Sequence, residues 1–313
     1  MKVEEKVKKY LDKIKKEDKK INSFIELNPR VLEEAKAVDA KKKKGRLAGY
    51  VIAVKSNINV KGLTCSCASK TLDNYKASYD ASVIEKIREE DGVIIGMTNM
   101  DEFASGWSGE TSAFGPTHNP ILQGYVSGGS SSGSAAAVAS GFCDIALGSE
   151  TGGSIRVPAS FCGIVGVKPS YGYVSRHGLI DLSMSLDQVG ILAKNVEDSA
   201  ILLEVIRGKD ERDCMSIESK SIEMKKVGKI KIGIVKVKGV NSKIQDVIDK
   251  NLKIIEKYLG WKSKLSSLKY IEAGLDTYFP IVWTEFFSAT RRFDGRKYGR
   301  KIEDSAGKEV LRR

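Results

Sequence analysis

The sequence predicts an α/β fold built around one central sheet. Short apolar runs of strand length alternate with amphipathic helical stretches, and glycines punctuate the changes from one to the other. Val3, Val7, Tyr10, Leu11 and Ile14 form an apolar stripe at helical spacing, which predicts a helix over 2–20. A second helix is expected over 33–42, ended by the lysine run and Gly45. "LAGYVIAV" at 47–54 reads as a buried strand, and "SVIEKIREED" followed by "GVIIGM" as helix, glycine stop and strand. Further on, "FCDIALG" is another short apolar run between two glycine-rich stretches. "VEDSAILLEVIRG" at 196–208 has acidic residues in its first turn and glycine at its end, as a helix requires. "KIKIGIVKV" at 229–237 predicts a strand, and "SKIQDVIDKNLKIIEKYLG" at 242–260 a helix with a glycine stop. With no internal repeat and no linker-like break, one domain over 1–313 is expected, opening with a helical segment of about 1–45.

Composition bounds the function. A chain of 313 residues with 41% hydrophobic and 29% charged residues is ordinary for a globular protein with a sizeable core. It has no run of eighteen apolar residues, and its N-terminus is charged throughout, so neither a membrane span nor a secretory signal is expected. The expectation is a cytoplasmic protein. Cys65, Cys67, Cys143, Cys162 and Cys214 follow no disulfide or zinc spacing, so reduced thiols and no metal are expected. Two histidines, His118 and His177, leave little material for imidazole chemistry. The net charge of +12 suits a polyanion such as RNA, but a solvated lysine-rich surface accounts for it too, and no aromatic-plus-basic motif is present.

The chemistry centres on "LGSETGGSIRVPAS" at 147–160. Glycine beside a nucleophile lets backbone N–H groups approach a substrate oxygen, so "TGGS" suits an oxyanion hole next to a serine hydroxyl. A plain tight turn reads equally well from this stretch alone. A nucleophilic serine needs a base. "GSSSG" at 129–133 fits G-x-S-x-G, pairing Ser131 with His177, but no clear strand precedes it and "TGGS" is left unexplained. Lys55, at the end of the apolar strand, is the other candidate. Burial lowers a lysine pKa until the neutral amine can act as a base, whereas a strand-end lysine reaching solvent would do nothing.

Taken together, Lys55, "GGSSSGSAAA" with Ser130, and "GSETGGSIRVPASFCGIVGVKPS" with Ser154 resemble the amidase signature family. The spacings of 75 and 24 residues between these positions match that family's Ser–Ser–Lys triad. The resemblance runs from about residue 40 to the C-terminus. It implies a mixed central sheet covered by helices on both faces. It also implies Ser154 as the acylated nucleophile, Ser130 as a bridging serine on a cis peptide bond, and Lys55 as the base. The backbone N–H groups of Thr151, Gly152, Gly153 and Ser154 would then hold the oxyanion. "TNMDEFASGWSGETSAFGPTHNP", "SRHGLIDLSMSLDQVGILAKNVEDSA" and "RFDGRKYG" are similar to the branch of glutamine-hydrolysing subunits of tRNA-dependent amidotransferases, in its archaeal form. That branch implies release of ammonia from glutamine for Asp-tRNA(Asn) or Glu-tRNA(Gln). It also implies two partners, the B and C subunits of the amidotransferase, of which the B subunit uses ATP and Mg²⁺ and the C subunit is small. No P-loop or other ATP motif is present in this sequence.

The departures from the family pattern are mild. Ser127 stands where many relatives have proline, Ser132 where many have glycine, and Glu150 replaces a common aspartate. The C-terminal "DSAGKEVLRR" stops inside what reads as a helix, while relatives continue, so part of the domain is expected to be missing. Arg312 or Arg313 is the residue implied to pair with the substrate carboxylate. A stand-alone amidase on a small amide, or a truncated chain that binds partners without catalysis, remain the alternatives.

Overall fold

The computed structural model describes residues 1–222, 228, 230–235, 237, 239–294, 302–303 and 309–310. Contacts divide the chain into two units, Met1–Ile222 with Thr284–Arg313, and Glu223–Trp283, where the unbroken composition had suggested one. One of the two boundaries, between Trp283 and Thr284, falls inside a helix.

In the first unit, the helix α1 (Val3–Ile21) buries Val3, Val7 and Ile14, as its apolar stripe requires. The strand β1 (Phe24–Leu27) leads to α2 (Val31–Ala40) and then to β2 (Val51–Lys55). The helix α3 (Ser82–Glu89) and the strand β3 (Val93–Thr98) form the expected helix–glycine–strand run. The chain continues through α4 (Ser132–Ser140), β4 (Ile145–Glu150), α5 (Arg156–Phe161), β5 (Val165–Val167), β6 (Gln188–Ala193) and α6 (Val196–Ile206). Asn195 caps α6 by accepting the Asp198 N–H, which satisfies one of the orphan amides of the first turn.

These strands make one mixed sheet in the order β1-β3-β2-β4-β6-β5. β2 runs parallel to both β3 and β4, while β4 and β5 are antiparallel to β6, and β1 is antiparallel to β3. Every residue of β2, β3, β4 and β6 is buried, so these strands need apolar side chains on both faces. On one face Ile52, Val54, Ile94 and Leu147 pack with α3 and α6. On the other, Val51, Ala53, Ile95 and Ala146 pack with α1, α2 and α4. The sheet is thus covered by helices on both faces.

The helix α4 is built from small residues and is buried from Ser132 to Val138. Gly133 donates its N–H to Asn99 O at 3.0 Å. A Cβ there would lie 2.3 Å from Ser23 O and 2.5 Å from Asn99 N, so only glycine fits. This close approach sets the start of α4, and with it the position of Ser130.

The second unit contains β7 (Lys231–Val235), α7 (Ser242–Leu259) and β8 (Lys262–Ser266). β7 and β8 pair in parallel, with α7 as the crossover helix that parallel pairing demands. The helix α8 (Gly274–Thr290) carries the unit boundary between Trp283 and Thr284. Near the C-terminus, β9 (Ile302–Glu303) pairs antiparallel with β10 (Glu309–Val310). The helix expected at 304–313 is therefore corrected at its two described residues, which are extended. The remaining positions lie outside the described residues. Among the described residues no helix is long and apolar enough to cross a membrane.

Gly133→Ala is expected to lower stability by about 1–3 kcal/mol through overpacking against backbone. The check is the urea midpoint of the variant beside the parent chain; an unchanged midpoint would show that α4 is not held by this contact.

Candidate active site

Lys55 is the last residue of β2, with β3 and β4 hydrogen-bonded on either side. Its side chain is fully buried, and the ammonium nitrogen finds all its partners inside the protein. Nζ donates to Ser130 Oγ at 2.8 Å, to Ser149 Oγ at 2.9 Å and to Ser149 O at 3.1 Å. Asn57 Nδ2 donates to the same Ser149 hydroxyl at 3.0 Å. Burial pushes the Lys55 pKa down to about 7, against the pull of the Asp101, Asp187 and Glu150 carboxylates. An ammonium here would use its three N–H groups on these three contacts. Once one proton is lost, the lone pair can accept a proton from a neighbouring hydroxyl.

Ser130 precedes α4 and follows a cis Gly129–Ser130 peptide bond. Three consecutive residues hold it in place. Gly129 N donates to Trp107 O at 2.7 Å, Ser130 O accepts from Asp101 N at 3.1 Å, and Ser131 N donates to Ser154 O at 3.1 Å. The last bond ties the Ser130 segment directly to the turn that carries Ser154. Ser154 itself is 3% exposed, and its hydroxyl makes no hydrogen bond among the described residues.

Two carboxylates shape that turn. Glu150, fully buried at the end of β4, accepts from Gly153 N at 2.8 Å, Ile155 N at 3.0 Å and Arg156 N at 3.1 Å. Arg156 Nε adds a fourth bond at 2.8 Å, and the guanidinium pairs with the same carboxylate. Burial alone would raise the Glu150 pKa, but the bonds from Arg156 and the two amides outweigh it, and the net shift is downward. Asp187, just before β6, accepts from Thr151 Oγ1 on the other side of the turn, and from Leu182 N at 2.8 Å and Ser183 N at 3.0 Å. Burial nonetheless pushes its pKa up to about 6. The turn is thereby gripped at both ends. Between the grips, the N–H groups of Thr151, Gly152 and Ser154 have no acceptor among the described residues.

The structure thus brings Lys55 and Ser130 into hydrogen-bonding contact and links Ser154 to them through Ser131. It corrects the oxyanion set at Gly153, whose N–H is already committed to Glu150 Oε1. The Ser131–His177 pairing is also overturned. Ser131 Oγ donates to Ser149 O at 3.1 Å, and the His177 ring packs on Tyr79 at 5.3 Å. Arg312 and Arg313 lie outside the described residues. Ser149, Asn57, Asp101 and Asp187 were not singled out from the sequence. Their only signal there is that each lies within or beside a segment already quoted for the site.

Asn57 also bonds to a residue of a neighbouring cavity. Its Nδ2 reaches Ile180 O at 3.3 Å, and Ile180 lines a cavity of about 810 Å³ whose walls include Asn59, Tyr75, Asp181 and Arg292. Asp181 pairs with Arg292 at 2.8 Å on that wall. None of Lys55, Ser130 and Ser154 lines this cavity.

The family model described as Amidase matches residues 5–313, and the chain belongs to the amidase family. It is 56% identical to the A subunit of glutamyl-tRNA(Gln) amidotransferase from Methanocaldococcus jannaschii, over 99% of this chain and 72% of that protein. It is 50% identical to the protein of the same name from Methanothermobacter thermautotrophicus, over 99% of this chain and 70% of that one. Among solved structures it resembles the A subunit of glutamyl-tRNA(Gln) amidotransferase from Thermotoga maritima, with a TM-score of 0.85 and 39% identity. That match covers 92% of this chain and 64% of the other. The peptide amidase of Stenotrophomonas maltophilia matches with a TM-score of 0.85 and 29% identity, over 94% of this chain and 64% of that one. The chain thus spans somewhat under two thirds of the length of these solved relatives.

Two outcomes are expected. Free in an unfolded chain, Lys55 keeps its proton up to about 10.5 and, folded, releases it near 7, so the unfolded state binds more protons across that window. The stability of the parent chain relative to Lys55→Met should therefore rise with pH between 7 and 10, by at most about 1.4 kcal/mol per pH unit. Urea midpoints of both chains at several pH values test this, and a flat difference would mean that Lys55 keeps its charge when folded. Glu150→Gln keeps the shape but weakens the charge-assisted bonds, worth about 1.5–3 kcal/mol each. It should lower the thermal midpoint, and a midpoint equal to the parent's would remove Glu150 from the support of the turn.

Proposed function

We propose that the chain is the glutamine-hydrolysing component of a cytoplasmic tRNA-dependent amidotransferase. The observation that carries this reading is the buried Lys55–Ser130 hydrogen bond beside the Ser154 turn, in a chain 56% identical to the A subunit of a glutamyl-tRNA(Gln) amidotransferase. In the proposed reaction, neutral Lys55 takes the Ser130 proton as Ser130 takes that of Ser154. Ser154 Oγ attacks the side-chain carboxamide carbon of glutamine. The oxyanion that forms is met by the unpaired N–H groups at Thr151, Gly152 and Ser154, and the loss of one such donor costs about 10²–10³ in rate in comparable sites. The proton returns through Ser130 to the leaving nitrogen, and ammonia departs. Water then attacks the glutamyl ester by the same relay, giving glutamate and free Ser154.

In this reading the ammonia is consumed on the B subunit of the amidotransferase, which uses ATP and Mg²⁺ to activate a misacylated tRNA, and the small C subunit completes the assembly. The names of the relatives favour Glu-tRNA(Gln) as the acceptor, with Asp-tRNA(Asn) as the second candidate. The likeness to a peptide amidase supports the second reading, a stand-alone amidase acting on a small amide.

The test is intact-protein mass spectrometry after incubation with an oxo-norleucine electrophile shaped like glutamine. One adduct on Ser154 is expected, absent from Ser154→Ala. Lys55→Ala and Ser130→Ala should slow labelling by about 10² or more without unfolding the chain. The labelling rate should climb with pH and reach half its maximum near the Lys55 pKa of about 7, since the amine must be neutral to accept a proton. No adduct, with the partners supplied and the fold intact, would leave the chain as a non-catalytic binding component.

A further inference from the structure

The net charge of +12 is unevenly placed. The first 46 residues hold sixteen Lys and Arg against nine Asp and Glu, more than half of the chain's excess in less than a sixth of its length. The structure shows where this charge points. The apolar stripe of α1 is buried, so the opposite face is turned outward, and Lys8, Lys9, Lys15, Lys16, Lys19 and Lys20 are all exposed there. From Lys8 to Lys20 the helix rises about 18 Å, with about one pair of lysines per turn. At the other end, Asp39 accepts the N–H groups of Val3 and Glu4 at 2.9 and 3.0 Å, which places the exposed run 42–44 of α2's trailing segment next to the start of α1. Lys8 is paired with Glu4, but Lys15, Lys16, Lys19 and Lys20 have no acidic partner within 4 Å among the described residues. Lys16 and Lys20 also line a cleft of about 490 Å³ with His118 and Gln123, in which Glu17 is the one acidic residue.

We propose that this face of α1, continued by Lys42, Lys43 and Lys44, is a docking surface for the phosphate backbone of RNA. Charge complementarity argues for it, since a long row of unpaired ammonium groups fits a polyphosphate and releases its counterions. A lipid surface is disfavoured because the apolar face of α1 is already buried in the core, leaving nothing to insert. A protein partner is disfavoured because the outward face of α1 itself holds no aromatic or aliphatic anchor; the exposed Ile121, Leu122 and Tyr125 lie on the loop beside the cleft. The choice of RNA over DNA rests on the proposed tRNA-dependent reaction; the surface itself does not.

The experiment is fluorescence anisotropy with the full chain, a labelled tRNA and a duplex DNA of similar charge, between 50 and 200 mM salt. Two variants carry equal charge changes: Lys15, Lys16, Lys19 and Lys20→Gln together on α1, and Lys250, Lys253, Lys257 and Lys262→Gln together in the second unit. Circular dichroism and the thermal midpoint establish that both variants are folded. The expected result is tighter binding of tRNA than of DNA, with a salt slope smaller by about 3 in the α1 variant only. Equal losses in both variants, an unchanged α1 variant, or equal binding of DNA would each overturn the proposal. Because no amide chemistry is read out, a chain that binds tRNA through α1 but takes no electrophile fails only the proposed reaction. A chain labelled at Ser154 that ignores tRNA fails only this inference.

Discussion

The structure turns on one buried amine. Lys55 has no exposed surface, so its nitrogen must find every hydrogen bond inside the protein, and each partner must be held still to serve it. β2 must be an interior strand, or the lysine would reach solvent. Ser149 must stand at the end of the neighbouring β4, and Ser130 must arrive from the start of α4. The small residues of α4 and the close approach at Gly133 follow from that requirement, because a bulkier helix would stand too far from the sheet. Desolvation does the rest by bringing the neutral amine within reach near pH 7.

Carboxylates do the positioning around this centre. Asp101 accepts from Gly109 N, Thr111 N and Thr111 Oγ1, while its own N–H holds Ser130 O. Gly129 lies so close to Asp101 that a Cβ there would fall 1.9 Å from the carboxylate. Glu150 and Asp187 hold the two ends of the 151–154 turn. All three are buried, and the potential they create works against the neutral lysine. The low Lys55 pKa therefore reflects burial winning over three nearby negative charges, and a wetter site would not produce it.

Half of the six-stranded sheet was legible in the sequence. β2, β3 and the run that became β4 stand out because interior strands are apolar on both faces. The amphipathic helices α1 and α7 were equally plain from their spacing. β1 and β5 were not, because short edge strands with half-exposed residues carry little periodicity. α4 was not read from the sequence, because its first residues merge with the glycine- and serine-rich stretch before it and, buried all round, it shows no apolar stripe. The boundary at Trp283/Thr284 was invisible because it falls within α8, with no composition break. At the site, Lys55, Ser130 and Ser154 could be named from motif and spacing. Asn57, Asp101 and Asp187 are ordinary polar residues in sequence, and only their burial and bonding reveal their part. The commitment of the Gly153 amide to Glu150 could not be foreseen, because it depends on where a side chain folds back.

The unpaired donors at Thr151, Gly152 and Ser154 belong to the peptide chain, and no single-residue change short of proline can delete a peptide N–H. This protects them from direct genetic damage. It also moves the fragility elsewhere, to the buried carboxylates that hold the turn and the Ser130 segment. In a survey of inactivating substitutions, the damage would cluster at Asp101, Glu150 and Asp187 as heavily as at the hydroxyls. Reading such a survey by distance from the reacting atoms alone would misjudge which positions the site depends on.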